Sequence, residues 1–338
     1  MAPAVLESRR SARGLLTVLA TGFILLAFNA CDNPMGTPVE RSDPGRAPLA
    51  SLGPPPLSDR AMVRVGEDDD PPVPIPRRHA PLGDASRDAT SSKMLLYHGG
   101  HMQTSPRIYL VYWGPNWFSG GDSYGVAQRL NLFYKGVGGS GYAEALKEYN
   151  RSSGSFTNPV GQYRGWWQDA SPVPTHPSTT QLVAAVRRAA KHFGDFGYNT
   201  QYIIATTWGI SDQKLNQHQW CAWHDWTAAG PTGKWVTFTI MPYMPYLDAL
   251  GRGCGGGTVN GAKGKLDGVT ILAAHEYGET VNDPDFQAWY DSDGDELADK
   301  CSWINLTNYP LRNGYTFPVQ PLWSNRARKE QGNGCLYS

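Results

Sequence analysis

The 338-residue chain has little charge and no bias of sign, with 30 Lys and Arg against 30 Asp and Glu, together 18% of its residues. It carries no basic stripe and no acidic tail, so nucleic acid is set aside as a partner. A G-x-S-x-G elbow is missing, which removes the usual serine-hydrolase arrangement. Gly253-Cys-Gly-Gly-Gly257 lacks the Gly-Lys-Ser/Thr ending of a phosphate loop and reads as a flexible turn. The five cysteines include no C-x-x-C pair, so a structural zinc knot is not written here.

Long uncharged runs are also scarce, and the one that stands out opens the chain. Arg9, Arg10 and Arg13 precede Gly14–Phe28, which carries no charge. That is the layout of a signal peptide rather than a spanning helix, since Asn29, Asp32 and Pro34 break it. Ala30 before Cys31 fits lipoprotein processing, with Cys31 as lipid acceptor, although Phe28 and Asn29 depart from the preferred residues of that motif. Residues 1–31 are thus expected to be a lipoprotein-type signal peptide, with ordinary secretion as the alternative. Membrane attachment is expected only through the N-terminal lipid.

Residues 32–92 hold twelve of the 26 prolines and the acidic run Glu67-Asp-Asp-Asp70. Such a segment cannot bury enough surface to offset its ordering entropy, so it is expected to be a disordered spacer. Residues 93–338 then form a single globular domain. Its cysteines, Cys221, Cys254, Cys301 and Cys335, are an even set, as an oxidising compartment favours. Three pairings are open to them. Cys221–Cys254 with Cys301–Cys335 is preferred because each bridge then closes a loop on one side of the central motif.

Arg107–Trp113, rich in β-branched and aromatic residues and ended by Gly114-Pro115, reads as a buried strand, and Gln201–Thr207 and Trp235–Met241 read as two more. Ser178 and Gln181 form a capping-box pattern that opens a helix to Phe193, stopped by Gly194. Further helices are expected over 124–134, 141–149 and 268–282. The class is therefore α/β or α+β, with a mixed sheet, a helix packed beneath it, and a loop-rich C-terminal part stapled by the second disulfide.

The motif with chemistry is Leu272-Ala-Ala-His275-Glu276-Tyr-Gly-Glu279-Thr-Val-Asn-Asp283. His275 and Glu279 are four apart and share a helix face, with Asp283 one turn on. Glu276 stands where the general base stands in H-E-x-x-H zinc helices, and Glu279 replaces the second histidine. Zinc accepts carboxylate oxygen, so His275 and Glu279 are expected ligands, with Glu296 or Asp291 as the third. Asp283, His224 and Asp299 are further candidates.

Asp291, Asp293 and Asp295 offer calcium an alternative, although Gly294 falls two positions early for an EF-hand. A solvated acidic helix face is the competing reading, against which the apolar flanks Leu272, Ala273, Ala274 and Tyr277 argue.

Tyr97-His-Gly-Gly100, Tyr112-Trp-Gly114, Gln162-Tyr163, Trp166-Trp167 and Cys221-Ala-Trp-His224 together resemble the plant phosphate-induced, Exordium-like extracellular proteins. The His-Glu-x-x-Glu helix, Trp289-Tyr-Asp291, Asp299-Lys-Cys301 and Val319-Gln-Pro-Leu-Trp-Ser-Asn325 are closer to secreted bacterial and fungal proteins, metallopeptidase-like in this motif. The resemblance spans most of residues 95–338 and implies the fold and an extracellular location. It does not carry the chemistry, which rests on His275, Glu276 and Glu279. The expectation is an exported zinc-dependent hydrolase of zincin-like build, a peptidase acting on an extracellular peptide. The alternative is a non-enzymatic protein of the envelope or matrix that binds glycan, peptide or wall polymer and holds a structural metal.

Overall fold

The computed structural model describes residues 89–337, apart from 152–153, 219 and 231–233. The expected signal peptide with Cys31, and all but the last few residues of the expected spacer, lie outside them. Ordered packing has begun by Ala89, whose carbonyl accepts from the Gly334 backbone N–H, and Arg328 reaches the Ser91 carbonyl.

Five strands make the main sheet: β1 (Arg107–Trp113), β2 (Tyr163–Asp169), β3 (Thr200–Thr206), β4 (Trp223–Ala228) and β5 (Trp235–Met241). Their spatial order is β2-β1-β3-β5-β4. The first four in that order run parallel, and β4 pairs antiparallel with β5 at the edge. Parallel neighbours need crossovers long enough to include a helix. Helix α1 (Val126–Val137) lies between β1 and β2, and α2 (Thr179–Phe193) lies between β2 and β3.

The period of two along the strands divides the core. Ile108, Leu110, Tyr112, Ile203 and Ala205 pack with Leu130 and Phe133 of α1 and with Leu272 and Tyr277 of a third helix, α3 (Asp267–Asn282). Val111, Trp113, Tyr202, Ile204 and Phe238 face the other way, onto Leu182, Val186 and Ala189 of α2. The result is three layers, with α2 above the sheet and α1 with α3 beneath. Many of the abundant aromatic rings are spent here, among them the fully buried Trp117, Trp223, Trp323, Tyr112 and Tyr277.

The expected helix at 178–193 forms with its capping box intact, and Gly194 ends it in the left-handed region at φ 66°. Two expectations shift. Helix α1 runs on through Gly136 to Val137, and the segment at 141–149 is one α turn, Gly141–Glu144, followed by a 3-10 turn, Ala145–Glu148. Strands β2 and β4 and the C-terminal antiparallel pair Thr307–Pro310 with Thr316–Val319 were not read from sequence. Among the described residues no helix is long and apolar enough to cross a membrane.

Helix α3 is buried along its whole length, polar residues included. Its start is fixed by close contact with the loop before it. A Cβ on Gly268 would lie 1.8 Å from the Cys254 carbonyl oxygen, so only glycine allows that approach. Cys254 is bonded to Cys221, just ahead of β4, and Cys301 is bonded to Cys335. Both disulfides are the preferred pairs, and each anchors a segment that reaches α3.

Candidate metal centre

Helical spacing puts His275 and Glu279 on one face of α3, with His275 Nε2 3.1 Å from Glu279 Oε1. Two further elements close on that face. In β4 the alternation sends Trp223 into the upper core and His224 down toward α3. His224 Nδ1 lies 3.2 Å from Glu276 Oε2 and 3.6 Å from Glu279 Oε2. The loop after α3 returns with Glu296 and Asp299. Glu296 Oε1 is 3.8 Å from His224 Nε2, and Asp299 Oδ1 is 3.7 Å from His275 Nε2.

These atoms form two donor groups, His275 with Glu279 and Asp299, and His224 with Glu279 and Glu296, each with its atoms within 4.8 Å of one another. Two ligands bound tetrahedrally to one ion at about 2.0–2.2 Å sit roughly 3.3 Å apart. In the His275 group the 3.1 and 3.7 Å separations both start from Nε2 and are of the size that shared coordination requires. In the His224 group the 3.6 and 3.8 Å separations start from opposite ring nitrogens, and one atom from each residue falls within the looser 4.8 Å limit. The donor chemistry also fits a divalent ion, since imidazole and carboxylate are ligands of zinc and its first-row neighbours. Neither oxygen of Glu296 has a hydrogen-bond partner among the described residues.

Burial rules out a solvated acidic face. Glu276, Glu279, Glu296 and Asp299 are at most 1% exposed, and His275 is 6% exposed. Burial, helped by the negative charges of Glu279, Asp283, Asp299 and Glu276, drives Glu296 well above the usual carboxylate range. Burial likewise raises Glu276, against the hydrogen bond with His224 and the charge of His275. For His275 burial opposes the charged form, but Glu279, Glu276 and Asp299 outweigh it and carry the imidazole up to about 10. His224 is raised in the same way, burial being overcome chiefly by Glu276 and Glu279. The cluster's field is negative, and positive charge is what it attracts.

The remaining expected residues have other work. Asp291 does not join either donor group. Its Oδ2 accepts from Lys300 Nζ at 2.5 Å, and its Oδ1 accepts from the backbone N–H groups of Asp293 and Asp295, so it closes the loop on itself. Of the two third-ligand candidates, only Glu296 reaches the site. Asp293 pairs with Lys93, and Asp291, Asp293 and Asp295 form no metal-sized group among the described residues. Asp283 caps the end of α3, where its Oδ1 accepts from Ala288 N–H at 2.6 Å.

His224 and Asp299, secondary in the sequence, prove central. The signal was adjacency to cysteine, since Cys221–Cys254 fixes the approach to His224 and Cys301–Cys335 fixes the turn that carries Asp299. The Asp299 backbone N–H also donates to Glu279 Oε1 at 3.0 Å. Phe286 was not foreseen. It takes a left-handed φ of 57° and sets its ring 4.8 Å from that of His224, a backbone conformation that costs about 1 kcal/mol for a residue with a side chain.

Comparison with protein-family models, with curated proteins and with solved structures gives no match. What the findings define is a mixed α/β protein with two disulfides and a buried histidine–carboxylate cluster of metal-binding character.

Proposed function

We propose that the chain is an exported, zinc-dependent hydrolase of zincin-like build, acting on extracellular peptide. The observation that carries this reading is that Glu276 shares the buried helix α3 with the donors His275 and Glu279 and lies 3.2 Å from His224 of the antiparallel edge strand. The residues fit a catalytic zinc, which has three protein ligands and an open position. When bound, such an ion acts as a Lewis acid and lowers the pKa of water to about 7.

The chain's own residues supply the rest. Glu276 takes the proton from the attacking water as a general base. His224 orients Glu276 through Oε2 and leaves its other oxygen for the proton. Strand β4 lies at the border of the sheet, and sheet edges are where extended peptide chains are recognised.

Export rests on the signal-like start and on two disulfides, and the Exordium-like resemblance agrees with it. The lipid on Cys31 belongs to the same proposal, and mass analysis of the mature N-terminus tests it.

The depth of the cluster favours a second reading, in which the metal is structural and the protein binds wall polymer or peptide without cleaving it. Peptide hydrolysis by the zinc-loaded chain separates the two. Glu276→Gln is expected to lower kcat by about 10²–10⁴-fold with zinc content unchanged. Equal hydrolysis by variant and wild type removes the catalytic reading.

A further inference from the structure

Glu279 belongs to both donor groups, and its two oxygens face different ways. Oε1 lies 3.1 Å from His275 Nε2, whereas Oε2 lies 3.6 Å from His224 Nδ1. One cation held by His275, Glu279 and Asp299 uses one half of the cluster and leaves the other unchanged. That other half holds His224, 1% exposed, and Glu296, 0% exposed. Among the described residues neither oxygen of Glu296 has a hydrogen-bond partner, and its contact with His224 Nε2 is a long 3.8 Å. A buried carboxylate without hydrogen bonds is costly unless it faces a cation.

This step rests on the metal-binding part of the reading above, not on its catalytic part. We propose that the cluster takes a second divalent cation between His224, Glu279 and Glu296, with the Glu279 carboxylate bridging the two ions. Charge points the same way, because Glu276, Glu279, Glu296, Asp299 and the neighbouring Asp283 crowd negative charge about the site, which bound cations offset. A single bridging carboxylate suits the spacing of roughly 3.5–4 Å at which paired metal ions sit. The donor set, one imidazole per ion and otherwise oxygen, suits zinc or manganese.

Both positions are buried: His224, Glu279, Glu296 and Asp299 are at most 1% exposed, and His275 and Phe286, the latter against the His224 ring, are each 6% exposed. The second ion holds Glu279 and β4 in place.

The test is metal stoichiometry. The chelator-stripped mature chain is dialysed against Zn²⁺ alone and assayed by elemental analysis. Two zinc ions per wild-type chain and one per Glu296→Gln chain are expected. Wild type loaded with Mn²⁺ alone is expected to give the paramagnetic resonance spectrum of an exchange-coupled pair, a readout independent of whether the variant folds. One zinc per wild-type chain with an uncoupled manganese signal overturns the second site and leaves the first intact. No metal at all overturns both.

Discussion

Glu279→Gln is the most informative single change, because Glu279 touches both donor groups and has almost the volume of its replacement. Glutamine keeps an oxygen to accept the Asp299 N–H bond but loses the charge and much of the ligand strength. At free zinc 100 times the wild-type Kd, one bound ion stabilises the fold by about 2.7 kcal/mol. Outer-sphere partners of metal ligands cost 10–100-fold in affinity when lost, so a direct ligand is taken at about 100-fold. The variant then keeps about 0.4 kcal/mol, a loss of about 2.3 kcal/mol per ion. For a domain of this size that is roughly 5–9 °C in Tm.

The assay is calorimetric melting of both proteins in zinc and again in chelator. In chelator a smaller deficit should remain, because Glu279 still pairs with the His275 imidazole, while the loss of one carboxylate beside Glu276, Glu296 and Asp299 works the other way. An equal deficit of the variant in both buffers would mean that Glu279 is structural in the ordinary sense, and would refute the argument.

Other outcomes follow from the same geometry. Asp291→Asn breaks the buried pair with Lys300 and should destabilise by about 3–5 kcal/mol while metal content per folded chain stays at the wild-type value; a drop in metal would restore Asp291 as a ligand. Gly268→Ala puts a methyl group against the Cys254 carbonyl and should cost at least the 1–3 kcal/mol typical of overpacking, read as a shift in denaturation midpoint; a neutral result would contradict the tight approach of α3. Asp195 provides a pH test away from the metal site. Partial burial raises its pKa, but Arg107, with Nε and Nη2 each at 2.7 Å, Tyr109 and Thr200 outweigh that and hold it below the ordinary aspartate value. Its contribution is therefore present above about pH 3.9 and lost as pH falls through the lower folded value, so the Tm gap between wild type and Asp195→Asn should shrink under acid. A gap that is constant from neutral to strongly acidic pH would contradict it.

Legibility in the sequence followed local physics. Arg107–Trp113 and Trp235–Met241 emerge with the bounds read for them, because continuous β-branched and aromatic runs have few other uses. Helix α2 was legible through its caps. Strand β2 was not, since Arg164, Gly165 and half-exposed Trp166 follow an edge strand's needs rather than a core pattern. Strand β4 hid for the same reason, with His224 and Asp225 in its middle.

The site divides along the same line. His275, Glu276 and Glu279 were readable because four-residue spacing is a local property of a helix. That His224 joins them depends on the strand's pairing with β5, and strand pairing is not local. Which of Asp291, Asp293, Asp295, Glu296 and Asp299 turns inward depends on Lys300 drawing Asp291 away and on Cys335 holding Cys301. Composition alone cannot rank five neighbouring acids, whereas loop closure can.

The most direct test of the central claim is anomalous diffraction at the zinc edge from crystals of the zinc-soaked mature chain. Density within about 2.0–2.2 Å of His275 Nε2, a Glu279 oxygen and an Asp299 oxygen is predicted. Its absence there would contradict the metal centre on which the functional reading depends.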